Sequence, residues 1–369
     1  MKQYLDAAQK ILSSGYETGD RTGTGTIALP GYAYQCILEQ DDKGVIHNYP
    51  LLTTKEVFLR GTFEELMWKL RGETNIQSLV KKKVHIWNEW PFKVWLEKTG
   101  QLNSFRHFID EEKSDYTDEW KYKMKQFVDL ITTDDGFAEE WGNLGETYGH
   151  LFRKFGLVMH KGEVAQEGCD QLLETIDKIR NKPEDRRNII SLWDPHANKK
   201  SLLPPCPCFY QVFSNQPEHL HMNVYQRSCD VFLGVPFNDS QDSLFLIFLA
   251  IVTGRKPKIF NHFFGDMHIY KNHLKQIKLQ LEREPGLLPS IKINRETDNI
   301  FDFKWEDIEI INYHPQPRIK APVAVWFIYV KKPNKSLIKK SFLILQEGFF
   351  FLWDLYSCVI QSMIKFISS

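Results

Sequence analysis

The chain is predicted to be a mixed α+β protein, and three observations carry that prediction. Runs at 212–213, 219–224 and 259–264 gather β-branched and aromatic residues at strand length. Stretches at 239–253 and 269–282 have helical length and apolar periodicity. At 369 residues, 42% hydrophobic and 14% aromatic, the chain carries enough apolar surface for a substantial core in one large domain or two.

Residues 1–20 begin with a helical pattern of apolar positions (Tyr4, Leu5, Ala8, Ile11, Leu12), which the glycine-rich run at 20–26 breaks into a turn. Arg21, on that glycine loop, is placed to reach a ligand. Residues 56–79 repeat apolar positions at helical spacing and set Glu65 beside Trp68 on a mostly buried element, where a carboxylate needs a reason. The stretch 91–140, rich in Lys, Asp, Glu and Trp, reads as an inserted helical excursion with a solvated face, a decoration rather than a second domain. The loop Gly-Asn-Leu-Gly-Glu-Thr-Tyr148-Gly follows it. After Val325 a lysine-rich stretch precedes a Phe/Leu/Ile-rich run at 342–367. Gln346, Glu347, Asp354 and Gln361 interrupt that run, so a packed C-terminal helix is expected rather than a membrane span, which needs about twenty uninterrupted apolar residues; an unusual reading-frame extension is the other reading. No internal repeat or low-complexity tract is present.

Lys+Arg 47 against Asp+Glu 47 leaves zero formal charge. No whole-chain field favours nucleic acid or an anionic membrane, so an anionic ligand must be held by local arginines. The six cysteines (36, 169, 206, 208, 229, 358) lack a framework spacing and no basic-apolar signal peptide opens the chain. A reducing, cytoplasmic setting with free thiols is expected.

Cys206, between prolines in Leu-Leu-Pro-Pro-Cys-Pro-Cys-Phe-Tyr-Gln, is the candidate nucleophile. An inert buried thiol is the ordinary fate of the residue type. Cys206 and Cys208 would make half a zinc site, but no second Cys or His pair stands at ligand spacing, so no metal is expected. Company lifts the nucleophile reading. Arg21, Arg186, Arg187 and Arg227, the last beside Ser228, are candidate phosphate anchors, each with a surface ion pair as its competing reading. A nearby cation also favours the thiolate. Pyrimidine C5 is a poor nucleophile until C6 accepts an attacking group, after which C5 can capture an electrophilic one-carbon unit. Glu65 or Tyr148, through water, would handle protons at O4 and C5, with a helix salt bridge an equal alternative for Glu65. Asn238 both donates and accepts, matching N3–H and O4 of uracil where cytosine presents the opposite pattern; its other reading is a turn residue after Pro236. His268 and Tyr270 share one face and suit a sugar hydroxyl or, alternatively, a buried structural hydrogen bond. Trp87 and Trp90 offer flat surface to a pteridine-like ring, although aromatic pairs at this spacing also build cores.

Together these segments resemble the thymidylate synthase family: Asp-Arg21-Thr-Gly-Thr-Gly-Thr, Pro-Leu-Leu-Thr-Thr-Lys55, Glu65-Leu-Met-Trp, Ile-Trp87-Asn-Glu-Trp90, Asp185-Arg186-Arg187, Pro-Pro-Cys206, Tyr-Gln-Arg227-Ser228-Cys-Asp230-Val-Phe-Leu-Gly, Pro-Phe-Asn238 and Gly-Asp-Met-His268-Ile-Tyr270. The resemblance covers residues 1–325, insertion included, and leaves 326–369 as an atypical apolar extension. It implies a single α+β domain with a twisted mixed sheet flanked by helices, in an obligate-type homodimer joined back to back through that sheet. Arg186 and Arg187 would reach the partner's nucleotide. The substrate implied is dUMP and the co-substrate 5,10-methylenetetrahydrofolate, with no metal and no nucleic acid required. By the same resemblance Cys206 is the nucleophile, Arg21, Arg227 and Ser228 hold phosphate, Asn238 meets the uracil edge, and His268 with Tyr270 the deoxyribose hydroxyl. Lys55, Trp87, Trp90 and Asp230 fall on the folate side, Asp230 counting among the catalytic residues with Glu65 and Tyr148, the proton-handling pair.

The departures from the family pattern point to the product. Pro207 stands where His is usual after the nucleophile, Glu146-Thr147 where Pro-Val is usual before Tyr148, Asp239-Ser-Gln-Asp242 where Ile-Ala-Ser-Tyr is usual, and Glu56 where a basic residue is usual. Family members end at the position of Val325, whose carboxylate helps seal the folate site, and here residues follow. After methylene transfer, excluding water favours hydride capture and dTMP, whereas admitting it gives 5-hydroxymethyl-dUMP. Carboxylates at Glu146 and Asp239 beside an altered terminus make 5-hydroxymethyl-dUMP the expected product. Thymidylate synthesis, yielding dTMP and dihydrofolate, is the alternative, and a catalytically weak nucleotide- or RNA-binding relative the remote third.

Overall fold

The computed structural model describes residues 1–20, 23–105, 108–110 and 115–323. The expectations for Arg21, Val325 and the 326–369 extension therefore lie outside the described residues. A six-stranded sheet organises the rest, built from β1 (Tyr16–Thr18), β2 (Thr26–Ile37), β3 (Ile189–Ser191), β4 (Pro207–Gln216), β5 (His219–Asp230) and β6 (Lys256–Tyr270). Their spatial order is β1-β2-β6-β5-β4-β3. β5 and β6 run parallel and every other neighbouring pair antiparallel, so the sheet is mixed and the α+β prediction holds.

Four helices bear on the site: α1 (Lys2–Ser14), α2 (Leu59–Leu70), α3 (Tyr148–Arg153) and α4 (Gly234–Val252). α1 follows its sequence pattern, burying Tyr4, Ala7, Ala8 and Ile11 at helical spacing. A parallel pair needs a crossover connection, and α4 supplies the one between β5 and β6 while packing on both. Its stretch from Leu244 to Ala250 is wholly buried. By length and composition α4 could cross a membrane, but 83% of that window is buried within the protein.

Two helical boundaries differ from the sequence expectation. The 56–79 helix is two, α2 and Gln77–Lys81, because the chain turns at Gly72 with φ +80. α4 begins at Gly234 rather than 239, since Pro236 falls in the first turn, where a missing N–H breaks no helical bond. Asn238 is thus a helix residue and its turn reading is displaced. Between α2 and α3, helices Glu89–Lys98, Asp118–Thr133 and Asp135–Trp141 close around aromatic contacts, with Phe92 edge-on to Trp120 at 4.9 Å and 5.5 Å from Phe127.

One face of the large sheet stays open. Phe209, Tyr225 and Phe263 are register partners across β4, β5 and β6 and are 38%, 45% and 43% exposed. The neighbouring row is amide-rich: Gln211, Asn223 and Asn261 are likewise in register, with Asn261 Nδ2 donating to Asn223 Oδ1 at 2.7 Å.

Candidate active site

Cys206 sits at the mouth of β4, where Pro204, Pro205 and Pro207 restrict the backbone around it. Arg227, across on β5, ties this corner together. Its backbone N–H donates to the Cys206 carbonyl at 2.9 Å, Nε to the Pro205 carbonyl at 2.8 Å and Nη2 to the Pro204 carbonyl at 2.9 Å. The same Nη2 stands 4.0 Å from Cys206 Sγ, so a permanent cation faces the sulfur and favours a developing thiolate. Gly265 on β6 permits the approach, because a Cβ there would come within 2.9 Å of the Arg227 carbonyl.

Tyr148, the first residue of α3, is buried with its phenolic oxygen accepting from the Cys206 N–H at 2.7 Å. The loop before it is set by Gly145, whose φ is +83 and whose Cβ would lie 1.9 Å from the Lys200 carbonyl. Burial, with Cys206 and Glu65 nearby, holds the Tyr148 phenol well above its ordinary pKa, so it stays a neutral hydroxyl.

Behind Tyr148 lies Glu65, buried on α2 and fully engaged. Trp87 Nε1 donates to Oε1 at 2.9 Å, Lys69 Nζ pairs with Oε1 at 2.9 Å, and Gln241 Nε2 donates to Oε2 at 2.8 Å. Lys69 also donates to Gln241 Oε1 at 2.6 Å and stands 4.3 Å from the centre of the Tyr148 ring. The helix salt bridge read as the alternative for Glu65 is formed, with Lys69 one turn on. The Trp87 ring lies 5.9 Å from Tyr148 and 5.2 Å from half-buried Trp90.

Asn238 and Ser228 approach from α4 and β5 and are joined by Gln226, whose Nε2 donates to Asn238 Oδ1 and to the Ser228 carbonyl, each at 3.1 Å. At the far end of β6, His268 lies edge-on to Tyr270 with ring centres 5.1 Å apart, and its Nδ1 meets Asp266 Oδ1 at 3.0 Å. Burial works against the imidazolium, but the Asp266 hydrogen bond and the charges of Asp230 and Asp266 outweigh it and raise the His268 pKa. Asp230 Oδ1 accepts from the Phe232 and Leu233 N–H groups at 3.0 and 3.2 Å. Lys55 is buried, donates to the Phe232 carbonyl and lies over the Phe232 ring at 3.7 Å; burial brings its pKa from 10.5 down to about 7, against the pull of Asp230.

Arg186 and Arg187 are not part of this cluster within one chain. Both are exposed ahead of β3, and Arg187 forks onto Asp185 with Nε–Oδ1 2.9 Å and Nη2–Oδ2 2.8 Å. Among the described residues no group of His, Cys, Asp or Glu is arranged to hold a metal ion. Residues that sequence reasoning passed over are Lys69, Gln226, Gln241, His262 and Tyr34. Only Lys69 carried a local signal, its i,i+4 spacing from Glu65 on an apolar helix.

A profile of the thymidylate synthase family matches residues 2–325. The chain is 40% identical over 325 residues to a thymidylate synthase of Malacoplasma penetrans, covering 88% of this chain and all of that protein. It is 39% identical over 325 residues to one from Mesoplasma florum, again across 88% of this chain and all of the relative. A thymidylate synthase of Leuconostoc mesenteroides is 40% identical over 327 residues, covering 88% of this chain and 98% of its own length. The protein is therefore a one-carbon transferase enzyme. More narrowly, the chain belongs to the thymidylate synthase family, whose members bind dUMP and use methylenetetrahydrofolate as co-substrate.

The expected hydroxymethyl-dUMP product is overturned, because the relatives matched across this whole region are thymidylate synthases. The geometry supplies the physical reason. Glu146 is drawn to Lys200, with Oε1–Nζ 2.6 Å. Asp239 is wholly buried, its oxygens taken by Tyr34 at 2.6 Å and His262 at 2.8 Å. Glu56 forks with Arg318 at 2.8 and 3.2 Å. Glu146 and Asp239, the carboxylates expected to position water, are thus engaged by Lys200, Tyr34 and His262.

Proposed function

We propose that the chain is a thymidylate synthase, making dTMP and dihydrofolate from dUMP and 5,10-methylenetetrahydrofolate. One observation carries the reading: Cys206, tethered by Tyr148 at its N–H, with the Arg227 guanidinium 4.0 Å from its sulfur. The thiolate adds to C6 of the uracil ring, and the electron pair of the C5–C6 bond moves toward C5 and O4. Asn238 stabilises the charge developing at O4 by donating through Nδ2 while accepting from N3–H. Arg227 and Ser228, with Arg21, take the phosphate, and His268 with Tyr270 the deoxyribose hydroxyl. Once the one-carbon unit is attached, the C5 proton must leave, and Tyr148, bonded to the Cys206 N–H, with Glu65 behind it, is the proposed proton-handling group. Breaking the Cys206–C6 bond then releases the nucleotide.

Methylenetetrahydrofolate supplies the one-carbon unit and the hydride. The paired rings of Trp87 and Trp90, Lys55 and Asp230 fit its flat ring and polar edge. A homodimer is part of the proposal, supported by the open sheet face: an apolar row Phe209, Tyr225, Phe263 beside an amide row is a self-complementary surface for a two-fold partner. Arg186 and Arg187, exposed ahead of the edge strand β3, would then serve the partner's nucleotide, Arg187 exchanging its fork on Asp185 for the phosphate.

Turnover with dUMP and methylenetetrahydrofolate is followed by absorbance at about 340 nm and by mass of the nucleotide product. Formation of dTMP with dihydrofolate supports the proposal, and a C5 product without dihydrofolate rejects it. Cys206→Ser should abolish turnover; a variant retaining full activity would remove the covalent step.

A further inference from the structure

We infer that the buried Asp239–His262 pair, anchored by Tyr34, sets the amide orientation of Gln226 and Asn238 and so determines the preference for uracil over cytosine. This deepens the dUMP reading above and rests on it.

Tyr34 on β2 and His262 on β6 are direct register partners, and Asp239 reaches both from the first turns of α4. Asp239 and His262 side chains are completely buried. Tyr34 donates to Asp239 Oδ2 at 2.6 Å, Asp239 Oδ1 meets His262 Nδ1 at 2.8 Å, and His262 Nε2 meets Gln226 Oε1 at 2.9 Å. The imidazole is held in place by Phe264, whose ring centre is 4.0 Å away, and by Phe260 at 5.5 Å. An ionisable pair this deep is costly unless every polar atom is matched, and here each one is.

Donor and acceptor counting fixes the direction of the chain. The Ser228 carbonyl can only accept, so the Gln226 atom facing it at 3.1 Å is the amide nitrogen. Gln226 Oε1 must then face His262, which requires a proton on His262 Nε2. Asp239 Oδ1 bonds the other ring nitrogen at 2.8 Å, one proton lying between them, and holds the ring in the orientation that presents the Nε2 proton to Gln226. The remaining Gln226 N–H points at Asn238, so the Asn238 atom there is Oδ1. Asn238 is left with Nδ2 as donor and one Oδ1 lone pair as acceptor, the complement of O4 and N3–H in uracil. Cytosine needs the reverse, and turning the Asn238 amide would set two N–H groups against each other at Gln226. Asp239 and His262 touch no substrate and act through Gln226 as positioning residues.

Calorimetry with dUMP and dCMP on the full chain, with kcat and KM for dUMP, tests the inference. In the unaltered protein dUMP should bind far more tightly than dCMP; absence of that preference would defeat the dUMP reading itself rather than this inference. His262→Phe, folded by circular dichroism, should lower the dUMP-to-dCMP affinity ratio by about ten-fold or more, raising KM more than it lowers kcat. An unchanged ratio would overturn the inference. Asp239→Asn can still accept from Tyr34 and donate to His262 Nδ1, leaving the Nε2 proton in place, so its ratio should stay within about three-fold of the unaltered protein. A loss equal to that of His262→Phe would also overturn it. Should His262→Phe not fold, Gln226→Glu, which removes the donor facing Asn238, must abolish the preference if the orientation is what decides it, and a retained preference counts against the inference.

Discussion

The phenolic oxygen of Tyr148 accepts a hydrogen bond from the backbone N–H of Cys206 at 2.7 Å, joining the proposed nucleophile's own main chain to the start of a helix fifty-eight residues earlier. Tyr148→Phe removes that hydrogen bond. Stability should fall by about 1–2 kcal/mol, read by urea unfolding. kcat should fall by about ten-fold or more with a smaller change in KM for dUMP, and alkylation of Cys206 by iodoacetamide should change in rate.

Glu65 and Lys69 form a buried pair at 2.9 Å with side chains 10% and 6% exposed. Lys69→Met strips the cation from a carboxylate that has little water to turn to, and should cost about 3 kcal/mol. Adding Glu65→Gln should restore part of that stability, so a double-mutant cycle should show coupling of about 1–3 kcal/mol. Glu65→Gln alone should lower kcat by about a hundred-fold, since proton handling is lost while the hydrogen-bonding shape remains. Purely additive stabilities would show that the pair does not act as one unit.

The raised His268 pKa gives a pH dependence with a definite sign. A group protonated more readily in the folded state adds stability that is fully present below its unfolded pKa of 6.5 and is lost as pH rises through the higher folded value. Asp266→Asn should therefore destabilise the protein more at pH 5.5 than at pH 9. Asp266 is 61% exposed, so the difference should be under about 1 kcal/mol. Unfolding curves at the two pH values, with an NMR titration of His268, decide it.

Lys55 behaves oppositely. Burial brings its pKa from 10.5 to about 7, so between those values the unfolded chain holds a proton that the folded chain has released, and stability rises with pH across that window. Lys55→Met should flatten that slope, gaining stability relative to the unaltered protein at pH 7 and losing the gain toward pH 10. Chemical denaturation across the window measures it. The same variant should raise KM for the folate, since Lys55 lies on that side of the proposed site.

Much of the framework was legible because it repeats locally. The Tyr4, Ala8 and Ile11 spacing is that of α1, and the strand runs at 219–224 and 259–264 lie inside β5 and β6. The Cys206 corner was legible for another reason: prolines around a thiol and an Arg-Ser pair on a strand state their chemistry in short segments. Asp239 was misread because a carboxylate early in a helix ordinarily faces water or the helix dipole. Its partners, Tyr34 and His262, lie 205 and 23 residues away in the chain. Glu146 looked like an active-site carboxylate until Lys200, 54 residues on, claimed it.

The sequence by itself determined the α+β class and singled out the thiol and the asparagine on which the proposed function rests, since residue type and close spacing suffice for those. Tertiary structure decided which charges are available for chemistry and which are spent on one another. That depends on contacts made at 2.6 to 2.9 Å between segments far apart in the chain. At such distances a hydrogen bond consumes a carboxylate's lone pairs, and no local pattern reveals that they are taken.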